Sequence, residues 1–280
     1  MKKLLSMEMK RAALSPILWI GIVAVIAKNV YTILLSNYGY TRYTTSSFFD
    51  NSGFICIIMA VFISLHISHD FETRAINNKI TAGYSRKQIY LAEAETSAIC
   101  SSILFVADMI SVFVCSMMEH LEFSDSVTYT AFIINAAIGL LCMITISSLF
   151  TTLVMIAHKQ LISLGIVIFL SLAMLSLGDN TVSDLRQEAV WMDPVTKETV
   201  ENPLYLKGLK RNTASLHLLL SPFAQAKYQP FMLLEPEGKA ANSLILKNAP
   251  YHFEFCMFHL LELALFCKIG IEIFKKQDLR

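Results

Sequence analysis

Fewer than one residue in six of this chain is charged, at 16%, against 55% hydrophobic residues and a mean hydropathy of +0.53. That shortage of charge excludes a single water-soluble domain of 280 residues, whose core cannot hide so much apolar surface. The formal net charge of +1 excludes the broad basic field that nucleic-acid binding uses. Cysteine is sparse and poorly placed for chemistry. Cys56, Cys100, Cys115, Cys142, Cys256 and Cys267 all lie in apolar segments with no CxxC, which argues against a disulfide framework or a zinc site and for small buried hydrophobes. Proline is nearly missing from the apolar segments: six of the seven fall between Gly178 and Tyr251, and the other, Pro16, stands at the entrance of the first. Those segments therefore read as unbroken helices.

Catalytic motifs are missing too. No GxxxxGK[ST] loop is present to cradle phosphates, no GxSxG elbow and no HExxH. His66 and His69, one turn apart beside Asp70, fit the polar end of a helix better than a metal site. Glu93 and Glu95 lie too close to the start of an apolar run to read as a buried acid pair.

What the chain has is six apolar runs near the length of about 20 residues that a bilayer core demands. They cover 17–35, 50–69, 91–118, 129–157, 160–178 and 251–274. The fold class is all-α integral membrane, one six-span unit over 1–280. The first run follows a basic start as a secretory signal does, but it contains Lys28 and Asn29 and lacks a small-residue cleavage pattern, so it reads as a retained span. Lysine and arginine set the orientation. Lys2, Lys3, Lys10 and Arg11, then Arg74, Lys79, Arg86 and Lys87, then Lys159, then Lys275, Lys276 and Arg280 fall on one side; Arg42 and the acids Glu119, Glu122 and Asp125 fall on the other. Both termini are expected in the cytoplasm.

Residues 1–15 place Met1, Leu4, Leu5, Met9 and Ala12 on one helical face and Lys2, Lys3, Ser6 and Lys10 on the other, with Glu8 spoiling the apolar face. An interfacial helix lying flat on the inner leaflet is expected, ended by Pro16. The external stretch 179–250, with Trp191, Tyr205, Phe223, Tyr228 and Phe231, reads as an ordered cap; its apolar patch Leu216 to Phe223 is too short to span and reads as an interfacial or re-entrant helix.

The loop 70–90, DFETRAINNKITAGYSRKQIY, is longer than a turn needs. It fits a short helix from about Glu72 to Thr81, closed by Gly83, and a second helix opened by a Ser85–Gln88 capping box. The phrase ETRAINNKITAGYSRKQIYLAE, Glu72 to Glu93, resembles the loop after the second span in type-2 ABC exporter permeases: an acidic residue opens it, and a glycine followed by a serine–arginine pair precedes the third span. The amphipathic arm, the six spans and the larger segment between the last two are similar as well, so the resemblance covers essentially the whole chain.

The resemblance implies a cytoplasmic coupling helix docked on a separate ABC ATPase subunit, with Glu72, Arg74, Asn78, Lys79, Gly83, Ser85 and Arg86 as the matched positions. It implies two permeases per assembly, as a homodimer or with a close paralogue. ATP and Mg would be bound by the partner ATPase, so no cofactor, catalytic residue or metal belongs to this chain. The setting implied is a bacterial plasma membrane, crossed in multiple passes, and the cargo an amphipathic or hydrophobic substrate such as a toxin or antimicrobial peptide.

Three ionisable residues fall inside the spans. Lys28 and Asp108 sit at matching depths, able to pair, and Glu262 has no evident partner. They form either a structural pair or part of a pathway. An ATP-independent secondary transporter or small channel relaying through Lys28, Asp108 and Glu262 is the alternative reading, disfavoured by the lack of helix-breaking residues in the spans. A membrane protease or transferase lacks a nucleophile and base.

Overall fold

A computed structural model describes residues 1–35, 47–121, 127–192, 198–234 and 251–277. Arg42, Glu122, Asp125 and Arg280, used above to set orientation, lie outside the described residues, as do residues 235–250 of the expected external cap.

The chain is an all-α membrane protein. Helix α1 (Lys2–Ala13) leads through Ser15 into α2 (Pro16–Asn29), where Pro16 takes a first-turn position that has no amide hydrogen bond to lose. Val30–Leu35 continues α2 as a π-helix. Helices α3 (Ser52–Glu72), α4 (Ala75–Thr81), α5 (Arg86–Met118), α6 (Tyr129–Ala157) and α7 (Gln160–Leu185) follow. A two-stranded antiparallel hairpin, β1 (Val190–Met192) with β2 (Thr199–Glu201), pairs Trp191 with Val200. Then come α8 (Gly208–Leu220), α9 (Pro222–Leu234) and α10 (His252–Lys276).

Among the described residues, five helices are long and apolar enough to cross a membrane: α2 with its extension, α3, α5, α6 and α7. Helix α10 is long enough, but Glu254, Glu262, Lys268 and Glu272 make it more polar. Helices α3 and α6 form the centre, each 61% buried over its most apolar stretch, whereas α2 and α7 are 28% buried and lie at the periphery. The outward faces carry exposed Trp19, Ile20, Val23, Ile103, Val106, Ile110, Phe113, Leu161 and Phe169, apolar side chains suited to lipid.

Local chemistry fixes the connections. Helix α6 starts where the Thr128 hydroxyl accepts from the Ala131 amide at 3.2 Å, and stops where His158 turns left-handed at φ 59°, so Lys159 feeds straight into α7. The His158 ring stacks on Phe71 of α3, centroids 4.9 Å apart, which ties this turn to the end of α3.

Two expectations change. The apolar patch Leu216 to Phe223 is not one helix: Ser221 and Pro222 break it, and the second piece, α9, inserts into the bundle against α6, α7 and α3. At 13 residues α9 spans about 20 Å, too short to cross the membrane. It is stitched in by Asn135 Nδ2 donating to the Gln229 carbonyl at 3.2 Å and by Cys142 Sγ donating to that of Pro222. Gly178 permits the approach, because a Cβ there would stand 2.9 Å from the Ala224 backbone. The seven-residue core of the 70–90 loop is also shorter than expected, since α3 runs through Asp70, Phe71 and Glu72 before the chain turns.

Candidate functional site

Helix α4 is a short helix held between two long ones. Arg74 adopts the left-handed region at φ 57° to turn the chain out of α3. At the other end, the Gly83 amide donates to the Ile80 carbonyl at 2.9 Å and the Tyr84 amide to that of Lys79 at 3.2 Å, with Gly83 at φ 91°. This double closure uses a backbone state that only glycine enters freely. Ser85 then opens α5 with the reciprocal capping box: its amide donates to Gln88 Oε1 at 2.9 Å, and the Gln88 amide donates to its hydroxyl at 3.3 Å.

Beneath α4 lies a buried ion cluster drawn from four helices. Lys79 Nζ of α4 meets Glu8 Oε1 of α1 at 2.6 Å and Glu93 Oε1 of α5 at 2.8 Å, and also bonds Asp70 of α3. Arg11 of α1 pairs with Asp70, lies 2.8 Å from Glu8 Oε2 and 3.4 Å from Glu93 Oε2, and meets His66 Nε2 at 2.9 Å. Glu8, Asp70 and Glu93 are each about 1% exposed and Lys79 6%. Burying such charges is costly unless opposite charges surround them. Burial opposes the charged form of Lys79, but Glu93, Asp70 and Glu8 together outweigh it and raise its pKa above the ordinary value. Arg11 is raised the same way: burial is opposed by its hydrogen bond to Asp70 and by the charges of Glu93, Asp70 and Glu8.

Glu8, His66 and Glu93 present donor atoms within 4.8 Å of one another, a spacing that a metal ion accepts. The Lys79 ammonium and the Arg11 guanidinium already contact those same atoms, so the protein's own cations fill the place of an ion.

The seven residues matched in the 70–90 loop divide by direction. Glu72, Arg74, Asn78, Gly83 and Ser85 are exposed. Lys79 points inward as the anchor of α4, so its side chain is not on the outer surface of the helix. Arg86 points sideways: its guanidinium donates to the carbonyls of Phe274 at 3.2 Å and Lys275 at 3.3 Å and to that of Gln277. It caps the end of α10, whose last carbonyls lack helical partners. Beside α4, a cavity of about 440 Å³ opens between α1 and α4, with Met7, Glu8, Thr73, Asn78 and Tyr84 in its wall.

Within the spans, no direct ion pair joins Lys28 and Asp108. Asn51 stands between them: it accepts from Lys28 Nζ and donates to Asp108 Oδ1 at 2.7 Å. Asn29 also donates to Asp108 Oδ1, at 2.8 Å, and to Ser111 Oγ at 2.6 Å. Glu262 has a neighbour one turn back on its own helix, His259 Nδ1 at 3.8 Å, and does not join the other two. The three residues therefore occupy two separate places.

Sequence reasoning missed Glu8, Arg11, Asp70 and Glu93 as a set. The available signal was Glu8 itself, an acid between Leu4 and Ala12 on the buried stripe of α1, where a carboxylate demands a cation. No protein-family model matches the chain, and no curated protein matches it.

Proposed function

We propose that this chain is the membrane permease subunit of an ATP-driven exporter of the type-2 ABC class, in which α4 is the contact to a separate ATPase. One observation carries this reading: the end of α3, the turn after it and α4 together offer an exposed surface at Glu72, Arg74 and Asn78, while the inward residue of α4, Lys79, is bound to α1, α3 and α5 at once. A push on the outer surface reaches three other helices through one ammonium. A purely solvated loop needs no such anchor.

In this reading α10 is the sixth span, with α1, α4 and the end of α10 on the cytoplasmic side of a bacterial plasma membrane. Two copies, or this chain and a paralogue, enclose the pathway, and ATP with Mg belongs to the ATPase. The apolar spans suit an amphipathic or hydrophobic cargo such as a toxin or antimicrobial peptide. The test is copurification with an ATPase encoded beside this chain. Charge reversal at the exposed pair, Glu72→Lys with Arg74→Glu, abolishes capture while the permease stays folded; capture unaffected by every substitution in 72–85 overturns the reading.

A further inference from the structure

A second polar feature lies away from the ion cluster, where the start of α5 meets the last turns of α10. A cavity of about 300 Å³ opens there, lined by Lys87, Lys268, Ile271, Glu272 and Lys275. Glu272 is committed to Lys275 at 2.6 Å, so three ammonium groups share one carboxylate and the groove has positive charge in excess. The cavity is a built feature, since Arg86 clamps the start of α5 to the end carbonyls of α10.

Lys268 is the informative residue. It is exposed, and it stands seven residues before Lys275, about 10 Å deeper along the helix. The same outward side of α10 carries exposed Leu261, Leu265 and Ile269, an apolar surface. An ammonium at that depth among acyl chains is costly unless its stem carries it up to an anion in the headgroup layer. Lys87 and Lys275 approach that layer from the two helix ends.

We infer that this groove binds the phosphate of an anionic phospholipid, with the acyl chains lying along Leu261, Leu265 and Ile269 of α10. The choice of lipid follows from charge: a zwitterionic head brings its own ammonium against three lysines, whereas an anionic head brings only the complementary sign. This inference rests on α10 crossing the membrane as the sixth span, but not on the ATPase contact.

The test is native mass spectrometry of the full chain in detergent with phosphatidylglycerol or phosphatidylcholine added, each with and without millimolar inorganic phosphate. Phosphatidylglycerol adducts outlast phosphatidylcholine adducts in the wild type, and the preference falls about fivefold for each lysine removed in Lys87→Gln and Lys268→Gln. If the double variant fails to fold, Lys87→Gln alone gives the reading, because Lys87 is exposed on the first turn of α5. Equal retention of the two lipids, or a preference untouched by the substitutions, overturns the headgroup site. Displacement of phosphatidylglycerol by inorganic phosphate also overturns it, in favour of a free-phosphate site. Absence of adducts of either lipid overturns the site as well; the placement of α10 stands or falls separately, on whether a membrane-impermeant label reaches its two ends from opposite sides of the bilayer.

Discussion

Lys79 Nζ on α4 stands 2.6 Å from Glu8 Oε1 on α1, joining the short helix between the second and third long apolar runs to the amino-terminal arm. The contact is ionic in character, since neither Glu8 oxygen has hydrogen-bond alignment with a donor. Its strength comes from burial, which keeps water from screening either charge.

Removing Lys79 leaves Glu8, Asp70 and Glu93 buried around Arg11 alone. Lys79→Met should cost about 3–5 kcal/mol, the usual penalty for breaking a buried ionic set by deleting one partner. Arg74→Met, exposed one turn away, should change stability by less than about 0.5 kcal/mol. Thermal melts of both variants in one detergent check the contrast.

The pH dependence of that contribution has a definite sign. The folded pKa of Lys79 lies above the ordinary lysine value of 10.5, so its stabilisation is fully present below 10.5 and is lost as pH rises toward the raised folded value. Between about pH 7 and 9 Lys79 adds no slope to stability. A melting series in which the wild type weakens across that interval while Lys79→Arg does not would contradict this assignment.

Arg86 should act on α10 and not on α4. Arg86→Gln removes a charged donor from the carbonyls of Phe274, Lys275 and Gln277, a loss of about 1.5–3 kcal/mol for hydrogen bonds to a charged group. Amide exchange in the last turn of α10 should quicken while exchange in α4 stays unchanged.

Asn51 should matter more to Lys28 and Asp108 than either matters to the other. Asn51→Ala deletes both links at once and leaves the Asp108 carboxylate with the Asn29 hydrogen bond alone among the described residues, at a cost of about 1–3 kcal/mol. In a double-mutant cycle, Lys28→Met and Asp108→Asn should show weak coupling once Asn51 is already alanine.

Hydropathy made the long apolar helices legible, because a run of about 20 apolar residues matches the thickness of a bilayer core and is too costly to leave in water. The closures of α4 were legible too, since Gly83, Ser85 and Gln88 act through their own backbone and near neighbours. The ion cluster was not. Glu8 is distant in sequence from the other three, Asp70, Lys79 and Glu93 stand on three different helices, and each alone resembles a solvated charge at a helix end; only the packing of α1 and α4 on α3 and α5 shows that they face one another. Helix α9 escaped because its sequence is mixed. Gln225, Gln229 and Pro230 make it look like a surface helix, and its burial depends on Gly178 and on the Asn135–Gln229 bond, which no local pattern announces.

Photocrosslinking to the ATPase from single positions on α4 and on the turn that leads into it tests the docking proposal most directly. An exposed probe at Asn78 should form an adduct with the ATPase, and a probe at Ile76, which is 1% exposed and faces the bundle, should not. Absence of any ATPase adduct from positions 72, 74 and 78 in a folded, membrane-inserted protein would contradict the account.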